Sequence, residues 1–444
     1  MSSAAPTPTR VIPQGRDLTL DLVRVGCVLL VVFAHILYSG VGRGSDGRIL
    51  IEKTVEQQPW FDVASWIVDI MPLFFVIGGF AARAGWRSAQ RRGAGEDQFV
   101  RVRLARLARP ALPLFAFFSV VLGAARMLGL DPALVDAVAV GVGSPLWFLA
   151  AYAITQACAP RMMRLHERWG MRVLAVLFLC VVAVDAVRFL LMRETFGIPS
   201  VPADGYGFGE QFFGIPNVLF VWLFCQQVGF LMYDGWFRAR TAWQLIALIV
   251  GGYGLAAASV PLMGSWWNML SNQWPPTIPL AVLAVVQAAA LTLLHRPLTA
   301  LTRTKAMQGV MLLIGSRLMT VYLWHLPMVM VLIGVELLLP IPMPHPGGAV
   351  WWWTRPLFFV LVLAAVLALS LPLMRFEKTP PLQETRFTGA TPLAILLFVL
   401  PVLGITTYGL DLPLALAALV GTVAALWLTG AFAAPRAQGA MERA

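Results

Sequence analysis

Charge is scarce in this chain: of its 444 residues, 12% are Asp, Glu, Lys or Arg, against 59% hydrophobic. So little charge cannot cover the surface of one water-facing core, and lipid must cover much of it instead. Lysine is sparse beside arginine, and no polar stretch is long enough for a separate soluble domain. Cysteine is scarce too. Cys27, Cys158, Cys180 and Cys225 lie inside apolar runs with neither metal-ligand spacing nor a disulfide framework, so they read as small buried hydrophobes and no metal site is expected. No internal repeat is visible. A cleaved signal peptide is excluded as well, because the apolar run after the Pro- and Ser-rich residues 1–17 is too long and lacks a small-residue cleavage site.

What abounds is the apolar run of about twenty residues, the length that carries a helix across a hydrocarbon layer. Such runs fall near 19–42, 60–84, 109–128, 138–159, 172–192, 212–233, 241–263, 277–294, 310–338, 356–374, 391–409 and 412–430. They predict an all-α polytopic bundle of about twelve transmembrane helices. The net charge of +11 sits in alternate gaps: Arg83, Arg87, Arg91, Arg92, Arg101, Arg103, Arg106 and Arg109, then Arg161, Arg164 and Arg168, then Arg238, Arg240, Arg296, Arg303, Lys305, Lys378 and Arg386. The opposite gaps are nearly free of basic residues after Lys53. This positive-inside pattern places both termini in the cytoplasm and excludes a nucleic-acid partner. Trp60, Trp266, Trp267, Trp274 and Trp351 to Trp353 occupy the outer gaps, as an interfacial belt or as a platform on which a sugar can stack.

An ionisable side chain inside a span costs on the order of 3 kcal/mol unless it faces a polar interior, so each is a functional candidate. The set is Arg24, His35, Asp69, Asp185, Arg188, Arg317 and His325. Arg24 and His35 are eleven residues apart, which returns them to one helix face about 16 Å apart along the axis. Taken alone, Arg24 reads as a snorkelling residue, and His35 reads equally as an interhelical hydrogen bond or a catalytic group. Together on one face they suit an anionic group held at the mouth and a base at its far end. Asp69 enters from the outer end of the second run at comparable depth, where it can orient an imidazole or make a structural bond. Asp185 and Arg188, at i,i+3, can neutralise each other.

At these residues the chain resembles the acyltransferase-3 family of membrane acyltransferases. Leu20-Asp21 followed by Arg24 and, eleven residues on, His35 is similar to the family's opening signature. Met71-Pro72-Leu73-Phe74-Phe75 through Gly78-Gly79-Phe80 resembles its second span, with Gly78 where Ser is usual. Arg103, Arg106 and Arg109 before Pro110 resemble its arginine pair spaced by two residues, and two registers fit, Arg103 with Arg106 or Arg106 with Arg109. Guanidinium forks at that spacing suit the phosphates of coenzyme A, while a topogenic basic loop needs nothing more than the charge. Pro145-Leu146-Trp147-Phe148-Leu149 and the stretch Ser316 to His325, with Tyr322-Leu323-Trp324-His325, resemble the fourth span and a late Tyr-Leu-x-His segment. Ala150, Ala151 and Tyr152 stand where some members carry acids.

The resemblance implies a ten-helix catalytic core over 18–375, and the runs and charge pattern add a cytoplasmic tail over 1–17, a cytoplasmic linker over 376–390, an additional hairpin over 391–430 and a cytoplasmic tail over 431–444. It implies transfer of an acyl group, acetyl or another short one, from cytoplasmic acyl-CoA to a hydroxyl of a carbohydrate, glycolipid or other envelope molecule. His35 and Asp69 are then the catalytic candidates, Arg24, Arg103, Arg106 and Arg109 the donor-binding ones, and Tyr322, His325 and Trp147 the substrate contacts. No permanently bound cofactor is expected, the setting is a bacterial inner membrane, and the oligomeric state stays open. Two rival readings remain. A transporter would run a proton relay through intramembrane His and Asp and show related halves, and a glycosyltransferase would place acids such as Asp46, Glu52 and Glu56 in the first outer gap.

Overall fold

The computed structural model describes residues 17–43, 49–129, 141–192, 209–340, 343–378, 382 and 387–432. The tail before Asp17, residues 138–140 of the fourth run, Asp46, residues 379–381 and 383–386 of the linker (Arg386 among them) and the tail beyond Phe432 lie outside them.

The chain is a bundle of helices with one small hairpin. Helix α1 (Leu18–Tyr38) starts where the Asp17 carboxylate accepts the Thr19 N–H at 3.0 Å. It ends in an antiparallel hairpin, β1 (Ser39–Arg43) with β2 (Ile49–Lys53), where the sequence reading continued the span to residue 42. Gly40 and Gly42 are poor helix formers, and the helix stops ahead of them. The second run is likewise broken, into α2 (Phe61–Val68) and α3 (Met71–Arg91), at Asp69–Ile70 just before Pro72.

Helix α4 (Glu96–Met127) is the largest departure from expectation, since residues 99–109 read as a loop between spans. No Gly or Pro interrupts residues 96–109, arginine and alanine are strong helix formers, and Glu96 and Asp97 complement the positive end of the first turn. The arginines therefore ride on the inner end of a membrane helix. Then follow α5 (Trp147–Trp169), α6 (Met171–Met192), α7 (Asn217–Tyr233), α8 (Ala242–Met263), α9 (Ile278–Leu293) and α10 (His295–Thr302). The run expected over 310–338 is divided into α11 (Lys305–Gly315) and α12 (Leu318–Leu338), and α13 (Ala349–Glu377), α14 (Ala390–Tyr408) and α15 (Leu412–Leu428) complete the chain.

Among the described residues nine helical segments are long and apolar enough to cross a membrane, or ten if α9 and α10, bent by 62°, form one span. The remaining two of the twelve expected runs are α5 and the 17-residue α15. One end of the bundle is stitched by ions: Asp17 meets His295 at 3.5 Å and Arg238 at 3.8 Å, while Arg83 meets Glu167 at 2.6 Å and Asp234 at 3.4 Å. The other end is stitched by indoles, Trp60 on Trp352 and Trp66 on Trp267, with ring centroids 6.1 and 6.0 Å apart. The hairpin α14–α15 packs along α4 and α5; Thr391 Oγ1 donates to Asp97 at 2.5 Å and Arg101 donates to the Thr429 carbonyl at 3.3 Å.

Burial sorts the helices by position. The segment ending in α7 is 78% buried over its most apolar window, whereas α8 and α13 are 22% buried, so α7 is central and the other two face outward. In place of a hydrophobic driving force, helices in lipid gain from close backbone approach. Helices α3 and α7 cross at glycines on both sides: a Cβ on Gly79 would run into the Gln226 carbonyl, and one on Gly229 into the Val76 carbonyl. Gly229→Leu should therefore cost at least about 1–3 kcal/mol. Thermal unfolding in detergent, followed by size-exclusion chromatography, reads this as a lowered midpoint, and an unchanged midpoint would show that the crossing is not tight.

Candidate active site

Helices α1 and α12 pack side by side and bring together two histidines 290 positions apart in the chain. His325 Nε2 lies 3.3 Å from His35 Nδ1, with ring centroids 5.0 Å apart. Each ring also touches its own helix: His35 Nδ1 is 2.9 Å from the Val31 carbonyl, and His325 Nδ1 is 2.6 Å from the Tyr322 carbonyl. A carbonyl oxygen only accepts, so both Nδ1 atoms carry the proton. The lone pair of His325 Nε2 then receives the shared His35 Nδ1–H. What is left over is His35 Nε2, an unprotonated nitrogen with no partner among the described residues.

Asp69 does not join this pair. Its Oδ1 accepts the Met71 N–H at 3.1 Å, its Oδ2 accepts from Gln273 at 3.1 Å, and its backbone carbonyl accepts from Gln287 at 2.5 Å. The α2–α3 break explains this, because a carboxylate at the break satisfies the start of the next helix. Of the two roles the sequence left open for Asp69, the structure shows the structural bonds, and the side chain that meets His35 is His325. The Tyr322 hydroxyl donates to the Pro145 carbonyl and ties α12 to the segment before α5. Trp147 stacks on Trp222 at 5.3 Å, which in turn stacks on Phe75 at 4.3 Å, so its ring face is spent on packing.

Three turns toward the ionic end, Arg24 is half-buried and Arg106 exposed, and neither has a hydrogen bond or ion pair among the described residues. Both act electrostatically on Arg103. Arg103 donates to Gln156 Oε1 at 2.5 Å and to the Ala81 carbonyl at 3.1 Å, and lies over the Phe99 ring at 4.4 Å. Among the described residues no carboxylate pairs with any of the three, so the mouth holds concentrated positive charge. Arg109 is set apart: it donates at 3.1 Å to the Arg375 carbonyl, one of the last in α13. On a helix, six residues fall about 120° short of two full turns, and that rotation carries Arg109 away from Arg103 toward α13.

One wall joins the arginines to the histidines. Gln156, which holds Arg103, shares a face of α5 with Tyr152 and Phe148 at four-residue spacing. The Tyr152 and Phe148 rings are stacked at 5.4 Å, Phe148 meets Tyr322 edge-on at 5.1 Å, and Tyr322 supports His325 through its carbonyl. Sequence reasoning missed Gln156 and Tyr152 as site residues; their signal was this spacing beside Phe148. Gly78, the departure from the usual Ser, lies under Tyr152, since a Cβ there would come 2.7 Å from the ring and 3.0 Å from its hydroxyl.

Two other buried polar groups stand apart from this wall. Asp185 binds Asn217 at 3.1 Å and the Ile278 N–H at 2.8 Å, with Arg188 at 3.6 Å, and so secures the start of α9. His166 meets Asp234 at 2.9 Å within the ionic stitching. Among the described residues no three His, Cys, Asp or Glu side chains gather as a metal site requires.

A multi-pass helical membrane protein with an arginine cluster toward one end and a free imidazole nitrogen three turns inside is the class that this fold and site define. Residues 17–375 match the acyltransferase domain that defines the acyltransferase-3 family, and the chain belongs to that family. No curated protein and no solved structure matches the chain. The matched span ends at Arg375, before α14 and α15.

The tautomer assignment is directly measurable. In protein labelled with 15N-histidine at neutral pH, the His35 and His325 side chains should each show a protonated Nδ1 and a bare Nε2. A protonated Nε2 on His35 would contradict the network.

Proposed function

We propose that the protein transfers a short acyl group, acetyl in the simplest case, from acyl-CoA to a hydroxyl of a carbohydrate or lipid-linked envelope molecule. It would do so in the bacterial inner membrane, with the arginine-rich end in the cytoplasm. The observation that carries this reading is His35 Nε2, left free by the bonds that occupy the other three ring nitrogens of the pair. Membership of an acyltransferase family favours it over transport or glycosyl transfer.

Each part has a role in the chemistry. Arg24, Arg103 and Arg106 hold the nucleotide phosphates at the mouth, where guanidinium–phosphate bonds are charge-assisted. The pantetheine arm lies along the aromatic wall and brings the thioester to His35, about 16 Å inward. His35 Nε2 takes the proton from the acceptor hydroxyl as its oxygen attacks the thioester carbonyl. The new C–O bond forms, the C–S bond breaks, and the departing thiolate receives the proton back from Nε2. His325 steadies the transient imidazolium by continuing to accept the His35 Nδ1–H, a neutral counterpart of the carboxylate in a hydrolase triad.

Acyl transfer by membranes of expressing cells tests this. His35→Ala should abolish transfer with the protein still inserted, and substantial residual activity would sink the proposal. Arg106→Ala should raise KM for acyl-CoA by about tenfold with kcat largely kept, the loss of one charge-assisted bond. Arg109→Ala should leave KM nearly unchanged and lower the thermal midpoint, because its guanidinium serves the end of α13. The reverse order of the two KM effects would move the phosphate site outward by one turn.

A further inference from the structure

Midway along the wall stands a polar atom with nothing to bind. The Tyr152 hydroxyl has no hydrogen-bond partner among the described residues. Its ring is held by three aromatics, stacked on Phe148 at 5.4 Å and edge-on to Phe74 and Phe75 at 6.0 and 5.7 Å. The bare backbone of Gly78 lies beneath the ring edge, so the hydroxyl is aimed rather than free to swing. Arg103 lies close enough to interact with it electrostatically. Tyr152 is half-buried and its oxygen is not sealed off by protein atoms, so a ligand can reach it.

The position matches a need of the donor. Tyr152 is one helical turn from Gln156, which holds Arg103, and one turn from Phe148, which touches Tyr322. It thus stands between the phosphate-binding mouth and the histidines, about 6 Å along α5 from each neighbour. The pantetheine arm carries two amides between its phosphate and its sulfur, and on an otherwise apolar wall each would lose its water bonds without replacement. Building on the acyl-CoA reading above, we propose that the Tyr152 hydroxyl hydrogen-bonds an amide of the pantetheine arm and so sets how far the thioester reaches toward His35. Gly78 serves this by leaving room for the ring to stand against the α3 backbone.

Three acetyl thioesters test the proposal: acetyl-CoA, S-acetylpantetheine and the amide-free S-acetyl-2-mercaptoethanol. Thiol release by membranes of expressing cells is measured above a His35→Ala background. Tyr152→Phe should raise KM for the first two by about three- to tenfold, the worth of one hydrogen bond, and leave the third unchanged. Gly78→Ala, which pushes the ring aside, should reproduce the same donor-dependent pattern. An equal effect on all three thioesters would show that Tyr152 merely packs, and no effect on acetyl-CoA would remove it from the donor path; either overturns the inference alone. Absence of wild-type turnover with acetyl-CoA would overturn the underlying donor reading as well.

Discussion

Inside a membrane a polar side chain must find its partner within the protein, because neither lipid nor water is there to supply one. The pairing of His35 with His325 follows from that constraint, and the proposed chemistry depends on it. Two imidazoles with four ring nitrogens meet two backbone carbonyls and each other, which accounts for three nitrogens and leaves one. A carboxylate in place of His325 would bring a buried charge that needs its own compensation. A neutral partner avoids that cost and still fixes which nitrogen of His35 is bare.

The rest of the architecture holds this pair in register with the mouth. Helix α1 carries Arg24 and His35 on one rigid rod anchored at Asp17, so their separation does not depend on loops. Helix α12 carries His325, and its first turn is tied down by Glu377, which accepts from both the backbone N–H and the hydroxyl of Thr320. Helix α4 works from two faces. Arg103 reaches inward to Gln156, while Arg101, two residues earlier, reaches the Thr429 carbonyl beyond α15. The added hairpin therefore bears on the same helix that presents the arginines proposed to bind the donor.

Much of this was legible in the sequence because it is local. Apolar runs mark helices whatever they pack against, and Arg24 with His35 form a pattern within one turn count. The opening signature and the arginine stretch were enough to suggest the family, and the match over 17–375 shows it. What was illegible is what the breaks in the helices decide. A two-residue interruption at Ser316–Arg317 sets the phase of α12, and nothing near His325 in the chain announces His35 as its neighbour. The break at Asp69–Ile70 turns the Asp69 carboxylate toward the Met71 N–H and Gln273 and away from His35. Three arginines at equal spacing look alike until the helix rotates Arg109 toward the Arg375 carbonyl. Residues 99–109 read as a loop because charge suggested water, although their arginines, leucines and alanines favour a helix.

The central claim is that the donor's acyl end travels from the arginine mouth along the α5 wall to the histidine pair. An acyl-CoA whose acyl group carries a photoreactive diazirine measures that path in one step, by mass spectrometry of the crosslinked peptides after illumination. The account predicts labels on α1 around His35 and on α12 around Tyr322 to His325. Labels confined to the arginine-rich end, near Arg103 and Arg106, would place the acyl group three turns from the only free imidazole nitrogen of the pair and contradict it.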